Sequence, residues 1–361
     1  MRVGGPLVDT PWAQTRLNFQ RAWTLTRGQG VRVAVIDTGL DRRHVQLRGT
    51  HVAPGHNVIP GFPKSDVTDC SGIGHGTSVT AVIAAQQIDG VHFLGVAPDV
   101  TIVPIKQTNT ANDKTSNADG IAAGIVAAVA AKARVVNISI TLTNPGYRLR
   151  AAVAQAARAN VVIVAAGGND AEGQNFPAYP AAYSTEFPNV IAVSASDAKD
   201  GIGPFSETGS YINVAAPGVG VVVPAPVRGY IKADGTSFAA PYVTGTVALL
   251  LAAHPTMTAV QVRNRIEATA DRPPATVPDT RYGYGIVNPF LAVTALRDDS
   301  LTAPTPRPAP PLRERAAAPP PDRHLAHVAL SAGVVLLGLA VLAVVGAAVL
   351  RGQRATRRPA G

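Results

Sequence analysis

The 361-residue sequence has very little cysteine, methionine and tryptophan: one Cys, two Met and two Trp. A single Cys excludes an intramolecular disulfide framework and any zinc site built from cysteines. Only 15% of the residues are charged and 46% are hydrophobic, which excludes disorder throughout and provides apolar material for a large core. The fold must therefore be held together by packing and hydrogen bonds rather than by covalent crosslinks.

The formal net charge of +9 is concentrated near the C-terminus. Residues 300–361 contain eight Arg against Glu314 and Asp322, so six of the nine net charges lie there. A nucleic-acid-binding protein needs a basic patch on a folded face, and the preceding residues carry too little net charge to form one. We therefore expect no nucleic acid among the partners.

The C-terminal region has the composition of a membrane anchor. A Pro-rich linker, 298–325, favours an extended spacer. Residues 328–350 then contain no charge and would span about 34 Å as a helix, which predicts one transmembrane helix over 326–350. The basic tail that follows, 351–361, is placed in the cytoplasm by the positive-inside rule.

This orientation puts the body, 29–297, outside the cytoplasm and therefore requires an export signal. Residues 1–20 lack the apolar core of about 7–15 residues that a signal peptide has. Two explanations remain open: the natural start lies upstream of Met1, or the body stays inside and the tail is translocated. We favour the first, because moving four Arg across a membrane is costly.

Short apolar runs rich in β-branched residues recur along the body, with Ala-rich helical stretches at 117–132 and 148–159. The runs are continuous rather than alternating in polarity, which is typical of parallel strands covered on both faces. This pattern predicts an α/β domain of three layers with a central, mostly parallel sheet, preceded by an N-terminal extension, 1–28. The predicted strands are 31–36, 100–105, 135–140, 161–166, 190–194 and 212–215.

Three residues at predicted strand or helix ends carry reactive groups. Asp37 ends the first predicted strand, His75 lies between two glycines before an apolar helical stretch, and Ser237 lies in Gly-Thr-Ser-Phe-Ala-Ala-Pro before another. Each alone has a plainer interpretation: a turn former or cap for Asp37, a loop residue for His75, and a helix N-cap for Ser237. Together they supply the carboxylate, base and nucleophile that acyl transfer by a serine requires.

These segments and their order resemble the subtilisin-like serine proteases. An α/β-hydrolase arrangement is disfavoured, because it places the acid and the histidine after the serine. The resemblance implies that Asp37 orients His75, that His75 is the general base and that Ser237 is the nucleophile. It also implies that Asn169 donates to the oxyanion together with the Ser237 N–H.

Substrate-binding residues are expected on both sides of the reacting groups. Ser139, Ile140 and Thr141 would form a strand to which an extended peptide is added, although a plain core strand end is the alternative. Thr141 falls where many subtilisins have Gly, so we expect a narrow primary pocket and a preference for small side chains. On the opposite side we expect Gly167 and Gly168 to contact substrate. No acidic cluster has the spacing of a calcium loop, so we expect no metal and no other cofactor.

The layout of the whole chain narrows the resemblance. A subtilisin-like body, a Pro-rich linker, one C-terminal span, a short basic tail and the leading segment 11–17 are similar to the mycosins, membrane-anchored proteases of actinobacterial type VII secretion systems. This implies a single-pass protein of the cell membrane whose extracytoplasmic catalytic domain cleaves secreted proteins or peptides. Subunits of the secretion complex are the implied partners, and a structural subunit with dispensable proteolysis is the alternative.

Three positions depart from the mycosin pattern. Cys70 lacks a partner cysteine, Ala81 stands where Gly usually follows the histidine motif, and Gly167 replaces a more usual Ala. Neither Ala81 nor Gly167 carries a reacting atom. We therefore expect an active enzyme with an unpaired thiol near its cleft.

Overall fold

The computed structural model describes residues 2–3, 7, 9–110, 117–225 and 229–296. These residues belong to one compact unit. The predicted linker 298–325, transmembrane helix 326–350 and basic tail 351–361 lie outside the described residues.

The strands form one large parallel sheet and one small antiparallel sheet. The large sheet has the order β3-β5-β2-β6-β7-β8-β9, with β4 also paired to β5, and all of these pairings are parallel. In the small sheet, β11 lies between β1 and β10. The strands are β1 (Arg2–Val3), β2 (Arg32–Asp37), β3 (His51–Val52), β4 (His56–Asn57), β5 (Thr101–Lys106), β6 (Val135–Ile138), β7 (Val162–Ala166), β8 (Val190–Ser196), β9 (Val214–Pro217), β10 (Val221–Pro224) and β11 (Tyr230–Ala233).

Helices cover both faces of the large sheet. The α-helices are α1 (Trp12–Leu17), α2 (His75–Ala84), α3 (Ala118–Ala130), α4 (Gly146–Arg158), α5 (Thr236–Ala253), α6 (Ala259–Ala268) and α7 (Pro289–Thr294). Short 3₁₀ helices occupy Phe19–Thr24, Val45–Leu47 and Ala181–Thr185.

The sheet separates the core into two clusters because successive side chains of a strand point to opposite faces. In β2, Val33 and Val35 pack in the cluster that contains α2 and α5. Ala34 and Ile36 pack in the cluster that contains α3 and α4. The prediction of a three-layer α/β domain with a central, mostly parallel sheet is confirmed.

The observed strands differ from the predicted ones by one or two residues at their ends, and in two cases buried apolar residues lie outside the strand. The run 135–140 pairs only as far as Ile138, and the run 212–215 begins pairing at Val214 and continues to Pro217. In both cases the apolar run extends beyond the ladder, because core packing continues where the strand hydrogen bonds stop: Ile140 and Ile212 are buried outside the strands.

The central helix α5 is buried for most of its 18 residues. Its length and composition would suffice to cross a membrane, but 89% of it lies inside the protein body, as expected for the core helix of a three-layer fold. Pro241 is its sixth residue and so lies in the second turn, not in the first turn where proline is best tolerated. The helix therefore lacks the hydrogen bond that residue 241 would donate to the carbonyl of Ser237.

The predicted N-terminal extension packs against the same core as the sheet. Leu17 and Phe19 are buried in the α2/α5 cluster. Arg16 bridges Asp200 and Asp271, with nitrogen–oxygen distances of 2.7 and 2.9 Å. Arg16 thus connects this segment to the loops that follow β8 and α6.

Candidate active site

Asp37 and His75 reach each other because a strand end and a helix start meet above the sheet. Asp37 is the last residue of β2, at its carboxyl end, where functional groups of open α/β sheets gather. His75 is the first residue of α2, after Gly74, whose left-handed backbone (φ +64°) suits glycine. Both side chains are buried.

The Asp37 carboxylate fixes the orientation of the imidazole. Its Oδ1 accepts from His75 Nδ1 at 2.7 Å and from the backbone N–H of Thr38 at 2.7 Å. Oδ2 is buried and, among the described residues, has no hydrogen-bond partner. With Nδ1 carrying the proton that Asp37 accepts, the Nε2 of a neutral His75 is left as an acceptor.

Burial and the neighbouring carboxylates shift the pKa of His75 in opposite directions. Burial by itself lowers the pKa of His75, but the charge and hydrogen bond of Asp37, together with the charge of Asp69, outweigh it and raise the pKa above its ordinary value near 6.5. The imidazolium form is therefore favoured more than in water, which is the state a general base reaches when it takes a proton.

A cluster of buried polar residues holds the start of α2 against the end of β2. We call Thr38, Asp69, Ser71 and Thr77 the His75 cluster. Asp69 accepts five hydrogen bonds at 2.6–3.0 Å, from the side chains of Thr38, Ser71 and Thr77 and from the backbone N–H groups of Ser71 and Thr77.

The His75 cluster also binds the backbone on either side of the imidazole. Ser71 Oγ accepts from the N–H of His75 at 3.0 Å, and Thr38 Oγ1 accepts from the N–H of Gly76 at 2.9 Å. The first N–H groups of a helix have no partner within the helix, so these side chains supply it. The position of the imidazole is consequently set by Asp69 through Ser71 and Thr38.

Ser237 is the second residue of α5 and is 7% exposed. The N-cap residue of α5, Gly235, has φ +148° and no side chain with which to cap the helix. The ring of the next residue, Phe238, lies 5.2 Å from the ring of His75, centroid to centroid. The described hydrogen bonds do not join Ser237 Oγ to His75, and such bonds are often long in an enzyme without substrate.

The carbonyl of Ser237 is hydrogen-bonded to a side chain instead of to its own helix. Because Pro241 has no N–H to donate, Ser139 Oγ donates to this carbonyl at 2.8 Å. Ser139 is held in turn by Asn137, whose Nδ2 donates to its oxygen at 2.9 Å, and Asn137 accepts from Thr244 of α5 at 2.8 Å. The serine is thus tied to β6 just beneath it.

Asn169 approaches α5 from the loop that follows β7. We call residues 167–170 the Asn169 loop. The Oδ1 of Asn169 accepts from the N–H and from the hydroxyl of Thr236, both at 2.9 Å. This pair of bonds turns the amide so that its oxygen faces Thr236, and the two Nδ2 protons remain available to another acceptor.

The predicted substrate-binding residues occupy different environments. Ser139 is buried with its hydroxyl on Ser237, and the side chain of Ile140 packs in the α3/α4 cluster of the core. Thr141 is half-buried beyond the end of β6. Gly167 and Gly168 leave no room for a Cβ, since one built on Gly167 would lie 2.8 Å from the carbonyl oxygen of Val193, and one built on Gly168 would overlap Glu207. These substrate roles remain predictions.

No group of three or more His, Cys, Asp or Glu that could hold a metal ion occurs in the part of the chain that the structure describes. Cys70, between Asp69 and Ser71, is exposed, and its thiol lies 3.6 Å from the carbonyl oxygen of Thr68.

Sequence reasoning missed three residues that shape this site. Asp69 stands directly before Cys70, and Thr236 stands directly before Ser237. Glu207 lies between two strands with no local signal that it would reach the Asn169 loop. The position of Thr236 next to Ser237 is a usable signal, whereas the contacts of Asp69 and Glu207 depend on the fold.

Comparisons with known proteins agree with this geometry. Residues 28–285 match the model of the Subtilase family. Subtilisin DY of Bacillus licheniformis is 38% identical, over 73% of this chain and 90% of that protein. Mycosin-4 of Mycobacterium tuberculosis is 34% identical, over 92% of this chain and 80% of that protein.

A solved structure shows the same fold. The crystal structure of MycP1 from the ESX-1 type VII secretion system superimposes with a TM-score of 0.71 and 28% identity, over 84% of this chain and 91% of that one. The chain therefore belongs to the subtilase family of serine endopeptidases and is related to the mycosins.

Proposed function

We propose that this protein is a membrane-anchored serine endopeptidase that cleaves secreted proteins and works with a type VII secretion complex. The observation that carries the catalytic part is the 2.7 Å bond between Asp37 and His75 at the N-terminal end of the helix that bears Ser237. It leaves the acceptor nitrogen of the imidazole for the serine hydroxyl.

The reaction follows from the roles of these groups. His75 removes the proton of Ser237 as the oxygen attacks the scissile carbonyl, and Asp37 stabilises the imidazolium that forms. His75 then protonates the leaving amine, and a water molecule, activated in the same way, releases the acyl group from Ser237. The oxygen of the carbonyl group under attack becomes negative in both steps, first in the peptide and then in the acyl-enzyme.

Asn169 Nδ2 and the N–H of Ser237 are the donors for this negative charge. The Ser237 N–H is among the first four of α5, which have no acceptor within the helix and lie at the positive end of its dipole. Loss of such a donor lowers turnover by about 10²–10³-fold, a figure carried over from subtilisin itself. Asn169 is aimed by Thr236, as its two bonds show.

A fluorophosphonate probe tests the nucleophile. The purified full chain should be labelled, and Ser237→Ala should abolish labelling. Ser194→Ala is a matched control, because the Ser194 hydroxyl is also buried and, among the described residues, has no hydrogen-bond partner. Labelling that survives in Ser237→Ala would show that the nucleophile is elsewhere.

The peptide specificity is proposed to favour small side chains before the scissile bond, because Thr141 narrows the primary pocket. A peptide library should show preferred cleavage after Ala or similarly small residues. Preferred cleavage after large aromatic residues would contradict the proposal.

Membrane anchoring is supported by the uncharged run 328–350 and by Mycosin-4, which matches 92% of this chain. Leu337→Arg combined with Leu339→Arg places two charges near the middle of that run, each costing about 2.5–3.5 kcal/mol on insertion scales. The double variant should leave the membrane fraction, and Leu337→Val with Leu339→Val should stay. A double Arg variant that stays in the membrane fraction would contradict anchoring by this run.

The alternative is a structural subunit of the secretion complex in which proteolysis is dispensable. A role in the secretion complex is supported by the solved relatives MycP1 and MycP3, which come from the ESX-1 and ESX-3 type VII secretion systems. Assembly of the complex with Ser237→Ala discriminates: unimpaired assembly and secretion support the structural role, and loss of secretion supports the protease.

A further inference from the structure

Glu207 is a buried acid that the proposed reaction does not use. It lies in the segment between β8 and β9 and is 4% exposed. In the described residues it forms no ion pair with a Lys or Arg side chain. A carboxyl group without a cation is costly to bury in its charged form, so its position calls for a physical reason.

Glu207 contacts the Asn169 loop at Gly168 and Asp170, the residues on either side of Asn169. Its N–H donates to the carbonyl of Gly168 at 3.1 Å, and its Oε1 accepts from the N–H of Asp170 at 3.2 Å. Gly168 has φ +112°, and a Cβ there would overlap the carboxyl group of Glu207. The loop thus rests directly on this carboxyl group.

Tyr211 completes the contact. Its hydroxyl lies 2.9 Å from the carbonyl oxygen of Gly167 and 3.4 Å from Glu207 Oε2. A phenol has one proton, so it can donate to only one of these oxygens at a time. The shorter distance assigns that proton to Gly167, and a protonated Glu207 can then donate to the phenol oxygen.

The opposite side of the loop is held by α5. Thr236 Oγ1 accepts from the N–H of Gly168 at 3.2 Å, and Thr236 binds Asn169 Oδ1 twice. The Asn169 loop is therefore held by Thr236 on one side and by Glu207 and Tyr211 on the other.

The surroundings of Glu207 disfavour its ionisation. Burial, together with the nearby charge of Asp170, raises the pKa of Glu207 to about 7. The titratable groups that face it are Asp170 from the loop and Tyr211 from its own segment, with Tyr179 close to Tyr211.

We propose that Glu207 is a positioning residue of the Asn169 loop, and that it holds Asn169 in place while its carboxyl group carries a proton. This inference rests on the proposed function of Asn169. When Glu207 ionises, it competes with Gly167 for the single proton of Tyr211. The carbonyl of Gly167 then loses its donor, two residues before Asn169.

The consequence is an alkaline limit on turnover. His75 must be neutral to act as a base, so activity rises as pH passes its pKa from below. Glu207 must be protonated to hold the loop, so activity falls as pH passes about 7. Since a misplacement of about 1 Å can cost roughly 10²-fold in rate, we expect a fall of at least about tenfold.

The test is the pH profile of kcat for the full chain and for Glu207→Gln. The substrate is a chromogenic peptide p-nitroanilide with Ala before the scissile bond, and each profile is normalised to its own maximum. Wild type should fall about tenfold on the alkaline side with a midpoint near 7, and Glu207→Gln should lose this limb, because an amide has no proton to release. The acid limb, set by His75, should stay in both.

Glu267→Gln is the matched control. Glu267 is also buried, but it binds Asn213 and Arg263 rather than the Asn169 loop. It should keep the alkaline limb. An alkaline limb that persists in Glu207→Gln, or that is absent from wild type, overturns the inference.

A second variant tests the same inference if Glu207→Gln does not fold. Tyr211→Phe removes the proton for which Gly167 and ionised Glu207 compete, so its normalised profile should also lose the alkaline limb. An alkaline limb that persists in Tyr211→Phe overturns the inference. Tyr242→Phe is its control, since the Tyr242 hydroxyl is buried without a hydrogen-bond partner among the described residues.

Labelling of Ser237 distinguishes this inference from the proposed function. If the probe labels wild type but not Ser237→Ala and the alkaline limb is independent of Glu207, the proposed function stands and the inference fails. If labelling persists in Ser237→Ala, the proposed function itself fails.

Discussion

Two buried carboxyl groups support the reacting residues, and they differ in the number of donors that reach them. Asp69, beside His75, accepts five hydrogen bonds. Glu207, beside the Asn169 loop, has one backbone N–H at 3.2 Å and a tyrosine hydroxyl at 3.4 Å that also lies within hydrogen-bond distance of the Gly167 carbonyl. Neither forms an ion pair with a Lys or Arg in the part of the chain that the structure describes.

The difference teaches that donor number decides what a buried carboxyl group can do. Asp69 accepts five hydrogen bonds and so connects the start of α2 to the end of β2 at several points. Glu207 has few donors, and its burial raises its pKa to about 7, so on our proposal the support of the Asn169 loop depends on its protonation. The two carboxyl groups thus differ in how many hydrogen bonds anchor them.

The largest expected effect is that of Asp69→Asn. An amide nitrogen in place of one oxygen would face donors on Thr77 or Ser71, and each buried donor left without an acceptor costs about 1–3 kcal/mol. With two or more such donors, the free energy of unfolding should fall by about 3–5 kcal/mol, and kcat/KM should fall because His75 loses its support. Urea unfolding and peptide hydrolysis measure the two effects.

Asp119→Asn is the control for this prediction. Asp119 pairs with Arg148 on the surface, where both side chains are more than half exposed, and such pairs contribute about 0–1 kcal/mol. Equal destabilisation by the two Asn variants would mean that the donors around Asp69 do not matter.

The next effect is a stability difference that depends on pH. A Glu side chain titrates near 4.5 in the unfolded chain, whereas Glu207 titrates near 7 in the folded protein. Between these values the folded state binds more protons, so the free energy of unfolding falls as pH rises, by about 3 kcal/mol, and then levels off. Unfolding of Ser237→Ala, which avoids self-digestion, should show this fall.

Adding Glu207→Gln to Ser237→Ala should remove that fall. His75 also contributes, since its raised pKa gives stability that is lost as pH rises through its folded-state pKa, but it does so equally in both proteins. The difference between the two curves therefore reports Glu207. Parallel curves from pH 4.5 to 8 would show that Glu207 ionises freely in the folded protein.

The fold and the position of Asp37 at a strand end could be predicted from sequence because local patterns specify them, whereas the contact of Asp37 with His75 is implied by the resemblance to the subtilisin-like proteases. Continuous apolar runs identify buried parallel strands, and the carboxyl ends of such strands meet at one edge of the sheet. Asp37 follows such a run directly, so its place needed no tertiary knowledge.

The supporting residues could not be predicted, because their contacts join distant parts of the chain. Glu207 reaches Gly168 across 39 positions of sequence, and Ser139 reaches Ser237 across 98. The position of Ser139 after a strand predicts a role in substrate binding, and this stays a prediction. It gives no sign that the Ser139 hydroxyl donates to a carbonyl that Pro241 leaves without a helical donor. Only the packed structure shows which polar group such a carbonyl finds.

The smallest expected effect is that of Ser139→Ala, which removes one neutral hydrogen bond rather than a carboxyl group. The Ser237 carbonyl would lose its donor at 2.8 Å, at a cost of about 1 kcal/mol in the free energy of unfolding. Because the bond ends on the backbone of Ser237, kcat should fall as well, whereas binding of a noncleavable peptide should change little.

Ser194→Ala completes the series as a serine whose buried hydroxyl has no hydrogen-bond partner among the described residues. Removing that hydroxyl should leave stability and kcat unchanged or slightly raise the free energy of unfolding, because a buried unpaired polar group is itself a cost. The difference between Ser139→Ala and Ser194→Ala in stability and kcat therefore measures the contribution of the hydrogen bond that Ser139 donates in place of the missing N–H of Pro241. If both variants lower kcat equally, the hydrogen bond from Ser139 does not hold Ser237 in place.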